Sequence, residues 1–299
     1  MATPKEELIA ARFKTFSRDS ILGCIVGGAV GDLLGGVAER GHLSLSDDTQ
    51  LTLATCEALS RSRGISPEAI AATFRQWFRA GAFSGLGSST LKALRDLDAG
   101  AHWALSGARG ERAAGNGAAM RVAPLAFFLQ PLDVSHRVVI RDVCRITHHS
   151  DEAYIGALAV LVAIHIGLEQ SSQTFFENLA EALPDSRVRD RIVAFADVSG
   201  DAPVSEVAAR YGASGYVVET VPLALFLARR MRSEGLRPLL AELVRAGGDT
   251  DTIGSIAGQV AGAHLGFSRL QPEISGLPLL VDVIARAEAF ADSCQESSV

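Results

Sequence analysis

The sequence has no excess of positive charge: 28 lysines and arginines stand against 34 acids, for a formal charge of -6 and an isoelectric point near 5.7. A phosphate backbone selects a basic footprint, so nucleic acid is not an expected partner. Cysteine is scarce too. Cys24, Cys56, Cys144 and Cys294 lie far apart, with no C-x-x-C pair and no histidine at ligand spacing. That argues against a disulfide framework and a zinc site, and it fits a reducing cytoplasm. Long apolar runs are missing as well. The uncharged stretch from Ile21 to Gly31 meets Asp32 well short of the roughly 20 residues a bilayer span needs, and reads as a buried helix. The opening "MATPKEELIAARFKTFSRDS" alternates charge with apolar residues and lacks the core and cleavage site of a signal peptide. The expectation is a cytoplasmic protein that does not contact a membrane.

What is present is ample apolar material: 48% of the 299 residues are hydrophobic and 21% charged, enough for one large core or two modest ones. Ala, Leu and charged residues recur at helical spacing over 50–62, 66–80, 88–98, 134–146, 152–168, 173–182, 203–211, 216–232, 236–245, 252–267 and 277–292. Strand signals are nearly absent. With no Pro- or Ser-rich linker and no repeat of about 20–50 residues, a single all-α domain is expected.

Two of these helices carry rows of glycine. Gly23, Gly27, Gly31 and Gly35 fall four apart, and so do Gly254, Gly258, Gly262 and Gly266. A glycine inside a helix costs about 1 kcal/mol relative to alanine, so two rows need a compensation. Residues four apart form one ridge, and a ridge without side chains lets another backbone approach closely. Either the two helices cross each other, or each lies separately in a crowded part of the core.

Acid and hydroxyl groups gather at two places. "GGDTDT" puts Asp249 and Asp251 among Thr250 and Thr252, and "LSLSDDTQ" puts Ser46, Asp47, Asp48 and Thr49 ahead of a helical pattern. Residues two apart on a helix point about 200° apart, so Asp249 and Asp251 are expected in the turn before the helix, with Asp251 or Thr252 at its cap. Taken singly, each cluster is better explained by helix capping than by ligation. Together they offer four carboxylates and several hydroxyls without sulfur or imidazole, the ligand type of hard cations such as magnesium or manganese. Two adjacent cations would also let four carboxylates converge without mutual repulsion.

Six blocks, "GCIVGGAVGDLLGGVAE", "SDDTQ", "GNGAAMRVAPLA", "THHSDEAYIGALA", "SGYVVETVPLALFLA" and "GGDTDTIGSIAGQ", resemble in order those of the ADP-ribosylglycohydrolases, over about residues 20–267. The resemblance implies a compact, single-domain orthogonal helical bundle over 16–292, with 1–15 an N-terminal extension and 293–299 a tail, and a monomer as the expected state. It also implies a pair of divalent cations, Mg2+ or Mn2+, bound by Ser46, Asp47 and Asp48 from one side and by Asp249, Asp251 and Thr252 from the other. Glu39 matches a glutamate of the family's mobile loop and, with the metal-setting Asp48 and Asp251, makes the catalytic set. Substrate binding falls to the loop of Gly115, Asn116, Gly117 and Ala118, whose amides are suited to a diphosphate, and to His148 and Tyr216. Without the blocks around them, Asn116 reads as a turn residue and His148–His149 as a helix start.

The activity so implied is metal-dependent hydrolysis of the bond between ADP-ribose and a modified protein side chain, arginine before serine. The sequence departs from the family at two places, the first being Ser46 where the family usually has Thr, either of which offers a hydroxyl. Only "RGHLSL" separates Glu39 from Ser46, where family members often carry a longer loop that closes over the substrate. Three other readings stand beside the first: an ADP-ribose-binding protein with little turnover, a metal-dependent hydrolase of a small nucleotide-sugar or phosphoester, and a helical protein whose acids are only caps.

Overall fold

Ser17 opens the first helix, its hydroxyl accepting the Ser20 amide at 3.0 Å, and α1 (Arg18–Gly35) then runs buried along almost its whole length. A computed structural model describes residues 16–62, 64–110 and 113–296, apart from the side chains of Glu39 and Glu296. The sequence-assigned extension 1–15 lies outside the described residues. After α1 come α2 (Val37–Arg40), α3 (Asp47–Ser62), α4 (Pro67–Arg79), α5 (Ser88–Asp98) and α6 (Trp103–Ser106). Two 3-10 segments, Asn116–Arg121 and Ala123–Phe127, lead to α7 (Val134–Arg145), α8 (Asp151–Ile166), α9 (Ser172–Ala182) and α10 (Arg187–Phe195). The chain continues through α11 (Val204–Tyr211), α12 (Val217–Glu234), α13 (Leu236–Ala246), α14 (Thr250–Leu265), α15 (Gln271–Ile274) and α16 (Leu280–Glu296). The result is an all-α domain.

Three features differ from the sequence reading. α10 is hidden in the charge-rich "RVRDRIVAF", where only Val188, Ile192 and Phe195 are buried, one short stripe at i, i+4 and i+7. α16 continues through 293–296, which the sequence reading gave to a tail. His148 and His149 do not start a helix. They form a two-residue strand paired in parallel with Ala108–Arg109, Ala108 opposite His148, and α8 begins only after its Ser150 cap.

The two glycine rows meet. A β-carbon on Gly27 would be driven into the Gly258 carbonyl and one on Gly31 into the Gly254 carbonyl, and reciprocally a β-carbon on Gly262 would strike Gly23. α1 and α14 therefore cross with backbone against backbone at the centre of the molecule. Thr250 Oγ1 closes the crossing by donating to the Gly35 carbonyl at 2.7 Å. From α14, Gln259 Nε2 donates to the Met120 carbonyl at 2.6 Å, and Thr52 Oγ1 of α3 reaches the same oxygen at 3.2 Å. The 116–121 segment is thus tied to the helices that carry both acidic turns. Overpacking a close contact costs about 1–3 kcal/mol, more than the helix-propensity gain of about 1 kcal/mol. Gly258→Ala should accordingly lower stability in urea denaturation; an unchanged or raised midpoint would mean that the backbones are not in contact.

Candidate metal centre and ligand cleft

Asp32 sits one residue past Gly31 on α1, so the helix crossing carries it to the start of α14, and it is fully buried. A buried carboxylate needs partners, and Asp32 has them. Its Oδ2 accepts the Ser46 amide at 2.9 Å and the Thr49 hydroxyl at 2.6 Å; its Oδ1 lies 2.9 Å from Ser46 Oγ. These bonds draw the first turn of α3 onto α1. Asp47 and Asp48 do not precede α3 but open it, behind Ser46, whose Oγ accepts the Asp48 amide at 3.3 Å.

At the second acidic turn, Gly247 and Gly248 take φ of 79° and 98°, a left-handed run that redirects the chain into α14. The cap is Asp249, not Asp251 or Thr252, and Asp251 lies within the first helical turn. Both aspartates nevertheless reach one cleft, because Asp249 has non-helical dihedrals (φ −82°, ψ 68°) and the helical 200° rule does not govern it. Nor is its side chain spent on capping: Asp249 makes no side-chain cap bond, and its Oδ2 accepts from Asn116 Nδ2 at 2.6 Å. Thr252 Oγ1 donates to Asp48 Oδ2 at 3.2 Å, so acids separated by some 200 positions in the chain become neighbours.

Oxygens of Asp32, Asp48 and Asp251 lie within 4.8 Å of one another. Asp48 Oδ2 is satisfied by Thr252, but Asp48 Oδ1 is buried without any hydrogen-bond partner. An orphaned carboxylate oxygen at the focus of three acids fits a hard divalent cation in its chemistry. Arg40 reaches the same cluster from the end of α2, with Nη1 2.9 Å from Asp251 Oδ2 and Nη2 2.7 Å from the Asp32 carbonyl and 3.2 Å from Asp32 Oδ1. Gly36 makes room for it, since a β-carbon there would overlap the guanidinium. Burial, with the fields of Asp251 and Asp32, pushes the Asp47 carboxyl up to about 7. Burial also drives Asp48 well above its ordinary value, with Asp32, Asp251, Asp47 and Asp249 adding repulsion, and it raises Asp32 despite the bonds from Thr49 and Ser46.

The acids form one end of a 390 Å³ cleft, lined there by Asp47, Asp48, Asp249, Asp251 and Thr252. Gly115, Asn116, Gly117 and His148 line another part, and Ser88, Ser89 and Thr90 at the start of α5 complete it. Ser46 and Ala118 are buried beside the cleft and do not line it. Tyr216 is outside the lining too. It caps α12, bridges Gly115 through the backbone, and is half-buried. The Asn116 amide, expected to face a ligand, is bonded to the Gly215 carbonyl at 3.1 Å. The side chain of Glu39 lies outside the described residues. Asp32 and Arg40 are site residues that the sequence reading did not single out; the lone acid of an apolar helix was the available signal for the first.

The ADP-ribosylglycohydrolase sequence profile matches residues 14–298. The chain belongs to the ADP-ribosylglycohydrolase family. Among ADP-ribosylglycohydrolase relatives, ARH3 of Gallus gallus, an ADP-ribosylhydrolase, is 26% identical over 278 residues, 79% of this chain and 74% of that protein. The ADP-ribosylarginine hydrolase Tri1 of Pseudomonas putida is 26% identical over 282 residues, 85% of this chain and 73% of that one. A solved ADP-ribosylglycohydrolase-related protein complex shares the fold with a TM-score of 0.71 at 25% identity, covering 93% of this chain and 98% of that chain. Among the described residues no helix is long and apolar enough to cross a membrane.

The raised carboxyls have a measurable consequence. An aspartate whose folded pKa exceeds its unfolded value binds more protons when folded, so stability is lost as pH rises between the two values. With chelator present, stability in urea should fall from about pH 5 to about pH 7, through the Asp47 window, and Asp47→Asn should flatten that slope. Binding of Mn2+ to these acids should release protons below about pH 7, seen by calorimetry in buffers of differing ionisation enthalpy. A stability that rises over this interval in the wild type would contradict the direction assigned to Asp47.

Proposed function

We propose that the protein hydrolyses the glycosidic bond between ADP-ribose and a modified protein side chain, with ADP-ribosylarginine as the first candidate substrate, and releases ADP-ribose. The observation that carries this reading is the buried, partnerless Asp48 Oδ1 at the meeting point of both acidic turns, at one end of a cleft whose other wall is a glycine loop and a neutral histidine. Ser46, Asp47 and Asp48 on one side and Asp249, Asp251 and Thr252 on the other would hold divalent cations, magnesium or manganese, with Asp32 beside them. Bound there, such ions would supply Lewis-acid chemistry, orienting vicinal ribose hydroxyls and making water acidic enough to attack.

The chain's own residues divide the remaining work. Gly115, Asn116, Gly117 and His148 belong to the substrate end, Gly115 and Gly117 offering close approach and His148 a ring nitrogen, while Ala118 and Tyr216, outside the lining, would support the glycine loop. Asp249 orients the Asn116 amide group at the boundary between the two ends. Glu39 is assigned to hold the attacking water and take its proton. As the water oxygen bonds to the anomeric carbon, the carbon–nitrogen bond breaks with its electron pair going to the guanidinium, which leaves as neutral guanidine and takes up the proton that Glu39 removed from the water. The transition state is oxocarbenium-like, so anionic surroundings favour it. Four lining aspartates also favour a cationic leaving group over a neutral hydroxyl, which supports arginine ahead of serine.

A second reading, ADP-ribose binding with little turnover, is favoured by Arg40. Its ion pairs to Asp32 and Asp251 anchor the segment that carries Glu39, and only five residues separate Arg40 from Ser46. The deciding measurement is release of ADP-ribose from arginine- and serine-modified peptides, with and without chelator. The wild type should release it from the arginine peptide only when metal is present. Asp251→Asn should lose release by about 100-fold or more while keeping its melting temperature within a few degrees, as expected when a metal ligand is weakened and the electrostatic stabilisation that the ion supplies goes with it. Tight ADP-ribose binding without release would establish the second reading instead.

A further inference from the structure

Among the described residues Arg121 is the largest fully buried side chain, and it has no carboxylate partner there. Its Nη2 donates to Thr147 Oγ1 at 2.8 Å and to the Val143 carbonyl at 3.2 Å, its guanidinium lies 5.0 Å from the centre of the Phe74 ring, and Nε and Nη1 have no partners. Burying a charge this incompletely is costly, and the guanidinium's own pKa is pulled down to about 10 by burial. Packing alone does not account for it, since an apolar side chain beside Phe74 would avoid the cost.

What the arrangement does is specify a proton. A guanidinium only donates, so the Arg121 bond occupies a lone pair of Thr147 Oγ1 and turns the hydroxyl hydrogen elsewhere. The one other hydrogen-bond partner of that hydroxyl among the described residues is His148 Nδ1, 2.8 Å away. If Nδ1 accepts, the proton of the neutral ring must be on Nε2. The ring is neutral: burial, with the charge of Arg121 behind it, lowers His148 to about 3. Nε2 in turn lies against the glycine loop of the cleft, where a β-carbon on Gly115 would come 3.2 Å from it and one on Gly117 3.3 Å.

We propose that Arg121 and Thr147 are positioning residues that fix His148 as its neutral Nε2–H tautomer, so that the ring presents a hydrogen-bond donor, backed by a buried positive charge, to the anionic part of the ligand. This rests on the reading above in one respect, that the ligand carries a diphosphate. Neutral imidazole is the useful form here. A charged ring would pair with the carboxylates across the cleft, whereas a neutral donor polarised from behind by a guanidinium favours phosphate oxygens without that competition.

Histidine-labelled protein read by long-range proton–nitrogen correlation tests the first half with no ligand present. The wild type should show a protonated Nε2 and a bare Nδ1, unchanged between about pH 5 and pH 8, the range where a free imidazole titrates. Thr147→Val, which keeps the shape and removes the hydroxyl, should give mixed tautomers and about tenfold weaker ADP-ribose binding, equivalent to about 1.4 kcal/mol. Thr147→Ser should restore both. A proton on Nδ1, a charged ring, or a tautomer unmoved by Thr147→Val overturns the proposal, and the wild-type spectrum decides alone if that variant does not fold. Absence of ADP-ribose binding by the wild type would instead remove the reading of the ligand, and the spectroscopic result would still judge the relay.

Discussion

Where Gly31 meets Gly254, no side chain stands between the two helices, and the convergence of the acids starts from that contact. Asp32 is the next residue along α1 and Asp251 stands three residues before Gly254 on α14, so backbone contact at the glycines brings two carboxylates together. Larger side chains would hold the helix axes at the usual separation of about 8–10 Å and draw these acids apart. The helix-propensity cost of the two glycine rows is therefore the cost of assembling the site. The Thr250 bond to the Gly35 carbonyl fixes the register of the crossing at the end where it matters.

Convergence of this kind works against folding. Burial raises the carboxyls of Asp32, Asp47 and Asp48, the charge of Asp32 adds to the rise at Asp47 and Asp48, and a bundle selected only for stability would place apolar residues there. The surrounding hydroxyls moderate the penalty without removing it. Ser46 and Thr49 satisfy Asp32, Thr252 satisfies one oxygen of Asp48, and Arg40 pairs with Asp32 and Asp251, yet Asp48 Oδ1 is left alone. Capping cannot explain an acid that caps nothing, and neither Asp48 nor Asp249 makes a side-chain cap bond. The cation-ligand reading of the acids rests on this residual, which the caps do not absorb.

Much of this is legible in the sequence, for physical reasons that also mark where legibility ends. Glycines at intervals of four are costly enough to demand an explanation, and acid next to hydroxyl at two helix starts is chemically conspicuous, so both glycine rows and both turns can be read locally, whereas the sequence leaves open whether the rows meet. Asp32 cannot be read that way: inside an apolar helix it looks like an interruption, and only the three-dimensional crossing turns it toward the other acids. α10 escapes notice because a single three-residue stripe is diluted by charge. Asp249 defeats the helical-wheel argument because one non-helical residue resets the angle between neighbours. The bond from Arg121 to Thr147 links positions 26 apart through a guanidinium that reads, in sequence, as an isolated charge in an apolar run.

The cleft is asymmetric in charge, and the location of Arg121 suits that asymmetry. In the proposed reading one ligand must place hydroxyls near cations and a diphosphate a few ångströms further on, in a chain whose net charge is -6. An arginine exposed in the cleft would answer the diphosphate, but it would also find Asp47 or Asp249 and neutralise the groups meant for metal. Arg121 is walled off instead, with Thr147 and the ring of His148 between it and the lining acids. Its charge still acts through a low-dielectric interior, where fields are screened far less than in water. The acids meanwhile keep their oxygens directed at the cation end. Separating the two charges by a neutral donor allows one small cavity to accept both ends of a ligand that is anionic at one end and metal-seeking at the other.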